Sequence, residues 1–181
     1  MKRIELLIAL LAFCIAASGC TRRSAGPNSN QGSTNQEKQT PEQWTQTRRT
    51  IVTYLECEEC EEGELEAVVK LGESAVPTLA ATLRGGPSPA NREILRRQLL
   101  DTYRKLKEYE KTHPKAKISQ GEEEYVKTYA ENYVALYQTR AATALSAIGG
   151  PNARKALEEA SKASLREDVK AVVKTALEKI K

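Results

Sequence analysis

The sequence predicts an all-α protein, and three observations lead to this fold class. Ala, Leu, Glu and Lys dominate the 181 residues, and bulky aromatic residues are few apart from seven Tyr. Apolar residues recur at i, i+3, i+4 and i+7 in several segments, which is the spacing of one helix face. Almost no window shows the alternation that a half-buried strand requires. The length suits a single domain.

One helical pattern occurs twice, at a constant offset of 77 residues. The segments are Leu71–Leu83 (LGESAVPTLAATL) and Ile148–Ala160 (IGGPNARKALEEA). In each copy an apolar helix end meets a Gly that can adopt the left-handed conformation, and a second helix follows. The matched positions are Leu71 with Ile148, Gly72 with Gly149, Val76 with Ala153, Leu79 with Ala156, Ala80 with Leu157, and Leu83 with Ala160.

These two segments resemble the inner turn and second helix of a HEAT repeat, the two-helix unit of α-solenoids. Residues 166–180 are similar to a following first helix, whereas Arg154 departs from Pro77 of the first copy. An offset of 77 residues is close to two units of about 40 residues, which leaves room for one further unit between the copies. The resemblance implies a right-handed, HEAT-like α-α superhelix of about seven helices with a long central helical hairpin.

The N-terminus has the three parts of an export signal. Lys2 and Arg3 are positive, residues 6–16 are apolar, and small residues precede Cys20. The end of this segment, ASGC, resembles the lipobox of bacterial lipoproteins. The resemblance implies that residues 1–19 are removed and that Cys20 is acylated. Ordinary secretory cleavage at Ala-x-Gly is the alternative.

Acylation of Cys20 implies a location in the cell envelope, since two or three acyl chains hold a protein firmly in a membrane. Thr21 follows the Cys. In a Gram-negative cell this implies the periplasmic side of the outer membrane, and in a Gram-positive cell the signal implies the outer face of the plasma membrane. Residues 20–39 are polar, and we expect a disordered tether with a reach of roughly 25 Å.

The helical domain is predicted to span residues 40–181. Its first helix begins at a cap formed by Thr40 and Pro41, runs to about Cys60 and is stopped by Gly63. A short helix to Leu71 and the first repeated second helix follow. The predicted apolar face of the first helix consists of Trp44, Ile51, Val52 and Leu55.

A long helical hairpin is predicted in the middle of the domain. Ser88 and Pro89 open one helix, which ends before Pro114 and has an apolar stripe. A capping box at residues 119–122 opens a second helix that continues to Ile148. The stripe consists of Leu95, Leu99, Tyr103, Leu106 and Tyr109. In the last helix, Leu165, Val169, Val172, Val173, Ala176 and Ile180 are expected to face the core.

Cys57 and Cys60 form a CxxC motif. On a helix the two residues share one face, at a distance that a disulfide can bridge. A structural disulfide, or a pair of reduced thiols, is therefore the favoured interpretation. The alternative, redox catalysis, is disfavoured because the surrounding Glu residues and the helix C-terminus raise the thiol pKa. Metal binding is not expected, since His113 is the single His and a zinc site needs four ligands.

Four Tyr residues follow one another at intervals of four: Tyr125, Tyr129, Tyr133 and Tyr137. Either their rings pack on Leu99, Tyr103 and Leu106 of the hairpin, or they form an exposed strip for a peptide, a glycan or an apolar molecule. Residues 88–117 contain nine Lys or Arg and four acidic residues. Arg92 and Arg96, with Lys107 and Lys111, form either a basic binding face or an ordinary solvated helix face.

The residues predict binding rather than catalysis. We find no phosphate-binding loop, no catalytic triad pattern and a single His, so we expect no enzyme activity and no cofactor. The formal net charge of +4 does not indicate a nucleic-acid partner. The favoured function is a protein-protein interaction or scaffold module whose partner is an envelope protein. The alternative is a lipoprotein that binds a small ligand, peptide or glycan through the Tyr strip.

Overall fold

The computed structural model describes residues 41–57 and 62–180. These residues form seven α-helices and one short 3-10 turn, Gly72–Ser74, and no strand occurs among them. The predicted all-α class is confirmed. The helices are α1 Pro41–Glu56, α2 Glu62–Leu71, α3 Val76–Gly85, α4 Pro89–Thr112, α5 Glu122–Ile148, α6 Gly150–Ser161 and α7 Glu167–Lys179.

Several predictions concern residues outside the described part of the chain. These are the signal peptide, the acylated Cys20, the tether, the cap at Thr40, and Cys60. Among the described helices, none has both the length and the apolar character needed to cross a membrane.

The first helix ends earlier than predicted. α1 stops at Glu56, and Gly63 lies in the first turn of α2 instead of ending α1. Carboxylates are unfavourable at the C-terminus of a helix and favourable at its N-terminus. The acidic run, which consists of the Glu residues between positions 56 and 64, therefore ends α1. Its last members, Glu62 and Glu64, lie in the first turn of α2.

The buried face of α1 is also shorter than predicted. Ile51 and Leu55 are buried in the core and Val52 is half-buried, but Trp44 is 47% exposed. Residues 41–46 at the start of α1 are all exposed, and burial begins at Thr47.

α5 is the central helix, because it contacts each of the other six. Its C-terminal half is buried on more than one face, and small side chains there allow the neighbouring helices to approach closely. The buried residues of this half are Ala135, Tyr137, Gln138, Ala141, Ala142, Ala144 and Leu145.

α4 packs mainly on the N-terminal half of α5, in the antiparallel hairpin that the sequence predicts. The Tyr103 and Tyr125 rings lie 5.3 Å apart, and the Tyr103 hydroxyl donates to the Gln120 carbonyl at 3.0 Å. Along the predicted stripe Tyr103 is buried and the three Leu residues are half-buried. The prediction for Tyr109 is wrong: this residue is 51% exposed, and its ring stacks on His113 with centroids 3.8 Å apart.

α3 and α6, the two helices of the repeated pattern, lie side by side and parallel. Near their first residues, Asn152 donates to Glu73 at 2.9 Å. Near their last residues, Arg84 and Glu159 form an ion pair at 3.6 Å. Contacts at both ends fix the parallel direction.

The repeated positions have the same environment in both copies. Gly72 and Gly149 have positive φ angles of 56° and 71°. The four matched core pairs are buried in both helices: Val76 and Ala153, Leu79 and Ala156, Ala80 and Leu157, Leu83 and Ala160. The predicted core of the last helix is confirmed as well, with Val172 half-buried and the other five residues buried.

Candidate functional site

The four Tyr residues of α5 do not form one strip. Each step of four residues advances about 40° around a helix, so Tyr125 and Tyr137 lie about 120° apart. Tyr125 is buried against Tyr103 of α4, whereas Tyr137 is buried against α1. Tyr133 is half-buried and Tyr129 is 46% exposed. Tyr129 is the most exposed of the four, and its ring lies against that of Tyr125 with centroids 4.5 Å apart.

Tyr133 and Tyr137 belong to a hydrogen-bonded cluster between α5, α1 and α4. Their hydroxyls lie 2.9 Å apart. The Tyr137 hydroxyl donates to Glu56 Oε1 at 2.6 Å, and the Asn91 amide donates to the same oxygen at 3.0 Å. Burial and the Glu56 carboxylate raise the pKa of Tyr137 far above its usual value, and burial raises the pKa of Tyr133. Both phenols are therefore neutral hydrogen-bonding groups.

Arg140 closes the end of α1 against α5. Its Nη1 donates to the Leu55 carbonyl at 2.8 Å, and the Tyr54 hydroxyl donates to the Arg140 carbonyl at 3.4 Å. Burial raises the pKa of Tyr54, while the Arg140 charge partly opposes this rise. The cluster around Glu56 and Arg140 consequently joins helices, and its groups are already occupied by one another. The sequence contains no signal for it, because the contacts that join α1 to α5 link positions more than 80 residues apart.

Cys57 directly follows α1 and is half-buried against the core. Its sulfur is part of a disulfide. Cys60, the predicted partner, lies outside the described residues, so the pairing of Cys57 with Cys60 stays a prediction. Cys57 is not in a helix, so the argument that places the two thiols on one helix face does not apply.

Three of the four predicted basic residues are engaged within the protein. Arg92 donates to the carbonyls of Pro87, at 3.0 Å, and Gly85, and so caps the end of α3. Lys107 pairs with Glu110, and Lys111 pairs with Glu108 at 2.6 Å. Arg96 is exposed and forms no ion pair with any described residue. A continuous basic face is therefore absent from this part of α4.

An open groove of about 500 Å³ lies between the hairpin and the turn that joins α6 to α7. We call it the hairpin groove. Its apolar floor contains Leu95 from α4, Val134 from α5 and Leu165 from the turn. Its polar rim contains Arg92, Glu131, Gln138, Ser164 and Arg166. No motif in the sequence indicates this groove, because its floor residues come from α4, α5 and the α6-α7 turn.

The rim of the hairpin groove is held in place by hydrogen bonds. The Gln138 amide donates to the Leu83 carbonyl at 3.1 Å. Arg166 donates to both carboxylate oxygens of Asp168, at 2.7 and 2.5 Å, and to the Asn132 side chain at 2.7 Å. The Arg166 guanidinium lowers the pKa of Asp168. The groove therefore offers a fixed apolar floor with charged groups of both signs on its rim.

A second groove, of about 370 Å³, lies between α1 and α2. Its lining includes Arg49, Thr53 and Glu64. Among the described residues, Glu64 Oε2 is the one buried side-chain oxygen or nitrogen without a hydrogen-bond partner. The residues described here hold no group of three potential metal ligands.

The described part of the chain is all-helical, with α3 packed on α6. Its hairpin groove is open and has both apolar and charged lining residues. Comparison of the chain with family models, with curated proteins and with solved structures found no match.

Proposed function

We propose that this chain is a lipid-anchored protein of the cell envelope that acts as a protein-protein interaction module through a HEAT-like repeat surface. The observation that supports this proposal most directly is the parallel packing of α3 on α6, two helices related by the repeated sequence pattern. Stacked repeats build extended surfaces that bind partners without chemistry.

The helix contacts fit two layers of a short HEAT-like stack. In one layer α5 contacts α2 on one side and α7 on the other, and in the second layer α3 contacts α6. The pairs α2-α3 and α5-α6 are then the two candidate repeat units, with extensive packing between α5 and α6 and slight packing between α2 and α3, and α7 is the first helix of a third. The residues between the two copies, 84–147, form α4 and all of α5 except its last residue, and α5 also supplies the first helix of the second unit. The 77-residue offset leaves room for one further repeat unit between the copies. In this arrangement the long hairpin occupies that part of the sequence.

The hairpin groove is the proposed contact surface for the partner. An apolar patch with a polar rim is typical of protein interfaces, and the groove is too open to enclose a small molecule. Leu95, Val134 and Leu165 offer the apolar contacts, while Arg92 and Glu131 allow a partner with charges of either sign. The alternative, ligand binding along the Tyr strip, has weaker support because Tyr125 and Tyr137 are buried between helices.

In this proposal the protein is anchored to the membrane through acylated Cys20, and its partner is an envelope protein. In-cell crosslinking followed by mass spectrometry compares the tagged wild-type protein with Cys20→Ser, which cannot be acylated. We expect an envelope protein that is crosslinked by the wild type and lost in Cys20→Ser. If no protein rises above background with either form, the interaction role is contradicted. If the same protein is captured equally by both forms, anchoring is not part of the function.

A further inference from the structure

The apolar face of α1 continues beyond the protein core. Trp44 precedes Ile51 by seven residues, or about two helical turns, and so lies on the same face of α1. Ile51 is fully buried, whereas Trp44 is 47% exposed. A large aromatic side chain thus extends the core-facing stripe to a position where the folded helices leave it half uncovered.

The segment that precedes α1 offers little to cover Trp44. Between Cys20 and Thr40 the sequence reads TRRSAGPNSNQGSTNQEKQ, in which Ala25 and Pro27 are the apolar residues apart from Gly. A polar segment gains little by packing on an indole ring. Residues 21–39 therefore offer no favourable apolar cover for Trp44.

The charge beside Trp44 indicates what kind of cover fits. Arg48 lies one turn after Trp44, on the adjoining part of the helix surface. Its side chain is exposed and makes no ion pair with a described residue. Glu42, the nearest acidic residue on α1, is about 200° away around the helix from Trp44. Trp and Arg side chains are favoured at the headgroup level of membranes, especially where lipids are anionic.

We propose that Trp44 and Arg48, which we call the α1 tip, lie on the anionic lipid headgroups of the membrane that holds Cys20. This inference rests on the proposed acylation. The 20 residues from 21 to 40 separate Cys20 from α1, so the α1 tip is the described part of the domain nearest to Cys20 along the chain. A tether of this length, if disordered as the sequence predicts, keeps the tip at an effective concentration on the order of millimolar, so a weak contact is sufficient to orient the domain.

The single Trp of the chain makes this contact directly measurable. The mature chain with Cys20→Ser is titrated with vesicles of three parts phosphatidylethanolamine to one part phosphatidylglycerol while Trp44 emission is recorded. We expect the emission maximum to move to shorter wavelength, and brominated phosphatidylglycerol to quench the emission. Vesicles of phosphatidylcholine should produce a smaller change. An unchanged emission with the anionic vesicles overturns the proposal.

Variants separate the α1 tip from general adhesion to lipid. In vesicle cosedimentation, Trp44→Ala is expected to lower the partition coefficient more than about tenfold, and Arg48→Gln about fivefold. Tyr109→Ala and Arg104→Gln change an equally exposed aromatic residue and an exposed Arg on α4, so they should bind like the starting protein. Far-UV circular dichroism verifies that each variant is folded. Equal losses in all four variants, or no loss in Trp44→Ala, contradict the proposal.

This test does not depend on the anchor. The vesicle assay uses a chain that cannot be acylated, whereas acylation is measured separately by the mass of the protein isolated from membranes. Acylated Cys20 with no vesicle response would refute the α1 tip alone. A vesicle response without acylation would refute the proposed anchor but not the affinity of the tip for lipid.

Discussion

Glu56 joins three helices although it is exposed. Its Oε1 accepts hydrogen bonds from Tyr137 of α5 and from Asn91 of α4. A carboxylate at the last residue of a helix is unfavourably placed relative to the helix dipole. Two donors from neighbouring helices offset this cost and fix the position of α1.

The first prediction concerns the hydroxyl of Tyr137. Tyr137→Phe removes the hydrogen bonds to Glu56 and Tyr133 while the ring stays in place. We expect the free energy of unfolding to fall by about 1 to 2 kcal/mol, measured by urea denaturation. Tyr129→Phe is the matched control, and because Tyr129 is 46% exposed, its effect should stay within about 0.5 kcal/mol. Equal effects of the two substitutions would contradict the role of the cluster.

The second prediction concerns alkaline pH. The pKa of Tyr137 is raised above its usual 10.0, so the folded state favours the protonated phenol. The stabilisation from this group is fully present below pH about 10 and is lost as the pH rises further. Thermal unfolding of the wild type should therefore show a steep loss of stability above that pH, and Tyr137→Phe a shallower one. Parallel curves for the two proteins would show that Tyr137 does not carry this dependence.

At this scale, periodicity predicted the buried aliphatic residues but not the roles of the polar ones. Ile51, Leu79 and Val169 are buried because their spacing follows the helix period. The contact of Glu56 with Tyr137 joins positions 81 residues apart, and nothing in the sequence near either residue indicates it. The four-residue spacing predicted a Tyr row on roughly one side of α5. The drift of about 40° per step instead takes Tyr125 to α4 and Tyr137 to α1.

At the scale of elements, the turn before α6 depends on Gly149. Its φ and ψ angles are 71° and −166°, a region that is essentially restricted to Gly. This residue matches Gly72, which also has a positive φ angle before the first copy of the repeated helix. Both Gly residues thus have the positive φ angle expected from the repeated pattern, although the ψ angle of Gly149 lies outside the left-handed helical region.

The third prediction tests this turn. Gly149→Ala should lower the free energy of unfolding by about 1 to 3 kcal/mol, because Ala is strained in this conformation. Gly63→Ala is the control, since Gly63 lies within α2 and a methyl group there meets no atom within 4 Å. It should leave stability unchanged or raise it by about 0.5 to 1 kcal/mol. Both changes in the free energy of unfolding are measured by urea denaturation. A loss in Gly149→Ala without a loss in Gly63→Ala supports the role of Gly149, and an unchanged Gly149→Ala contradicts it.

Helix ends were harder to predict than helix faces. The apolar spacing placed every described helix, but the end of α1 is set by the acidic run and by Arg140, which donates to the Leu55 carbonyl. Arg140 comes from α5, 85 residues later in the chain. The hairpin groove was likewise beyond prediction, since its floor exists only after α4, α5 and the α6-α7 turn have come together.

At the scale of the whole molecule, the described helices divide into a part with many buried residues and a part with few. The C-terminal half of α5 is surrounded by buried residues, whereas Tyr103 is the single buried residue of α4. Few buried contacts permit local opening at a lower free energy than global unfolding. We therefore expect α4, together with the N-terminal half of α5, to be the most mobile region among the described helices.

The fourth prediction follows from this difference. In native-state hydrogen exchange, the amides of α4 should exchange through openings that cost less free energy than those of residues 135–145 in α5. The Leu157→Ala variant, which truncates a fully buried residue, should lower the protection of residues 135–145 by about 2 to 5 kcal/mol. It should affect α4 less. Uniform protection across both regions would mean that the hairpin is as stable as the core.

We propose that this protein, a lipid-anchored stack of helices, binds an envelope protein at the hairpin groove. The most direct measurement is site-specific photo-crosslinking in living cells with the reactive residue at Glu131, on the rim of the groove, and separately at Glu66, an exposed residue of α2 outside both grooves. We expect one envelope protein to be crosslinked reproducibly from position 131. This protein should be lost in Cys20→Ser and should not be captured from position 66. Capture of the same proteins from both positions, or of none from position 131, would contradict it.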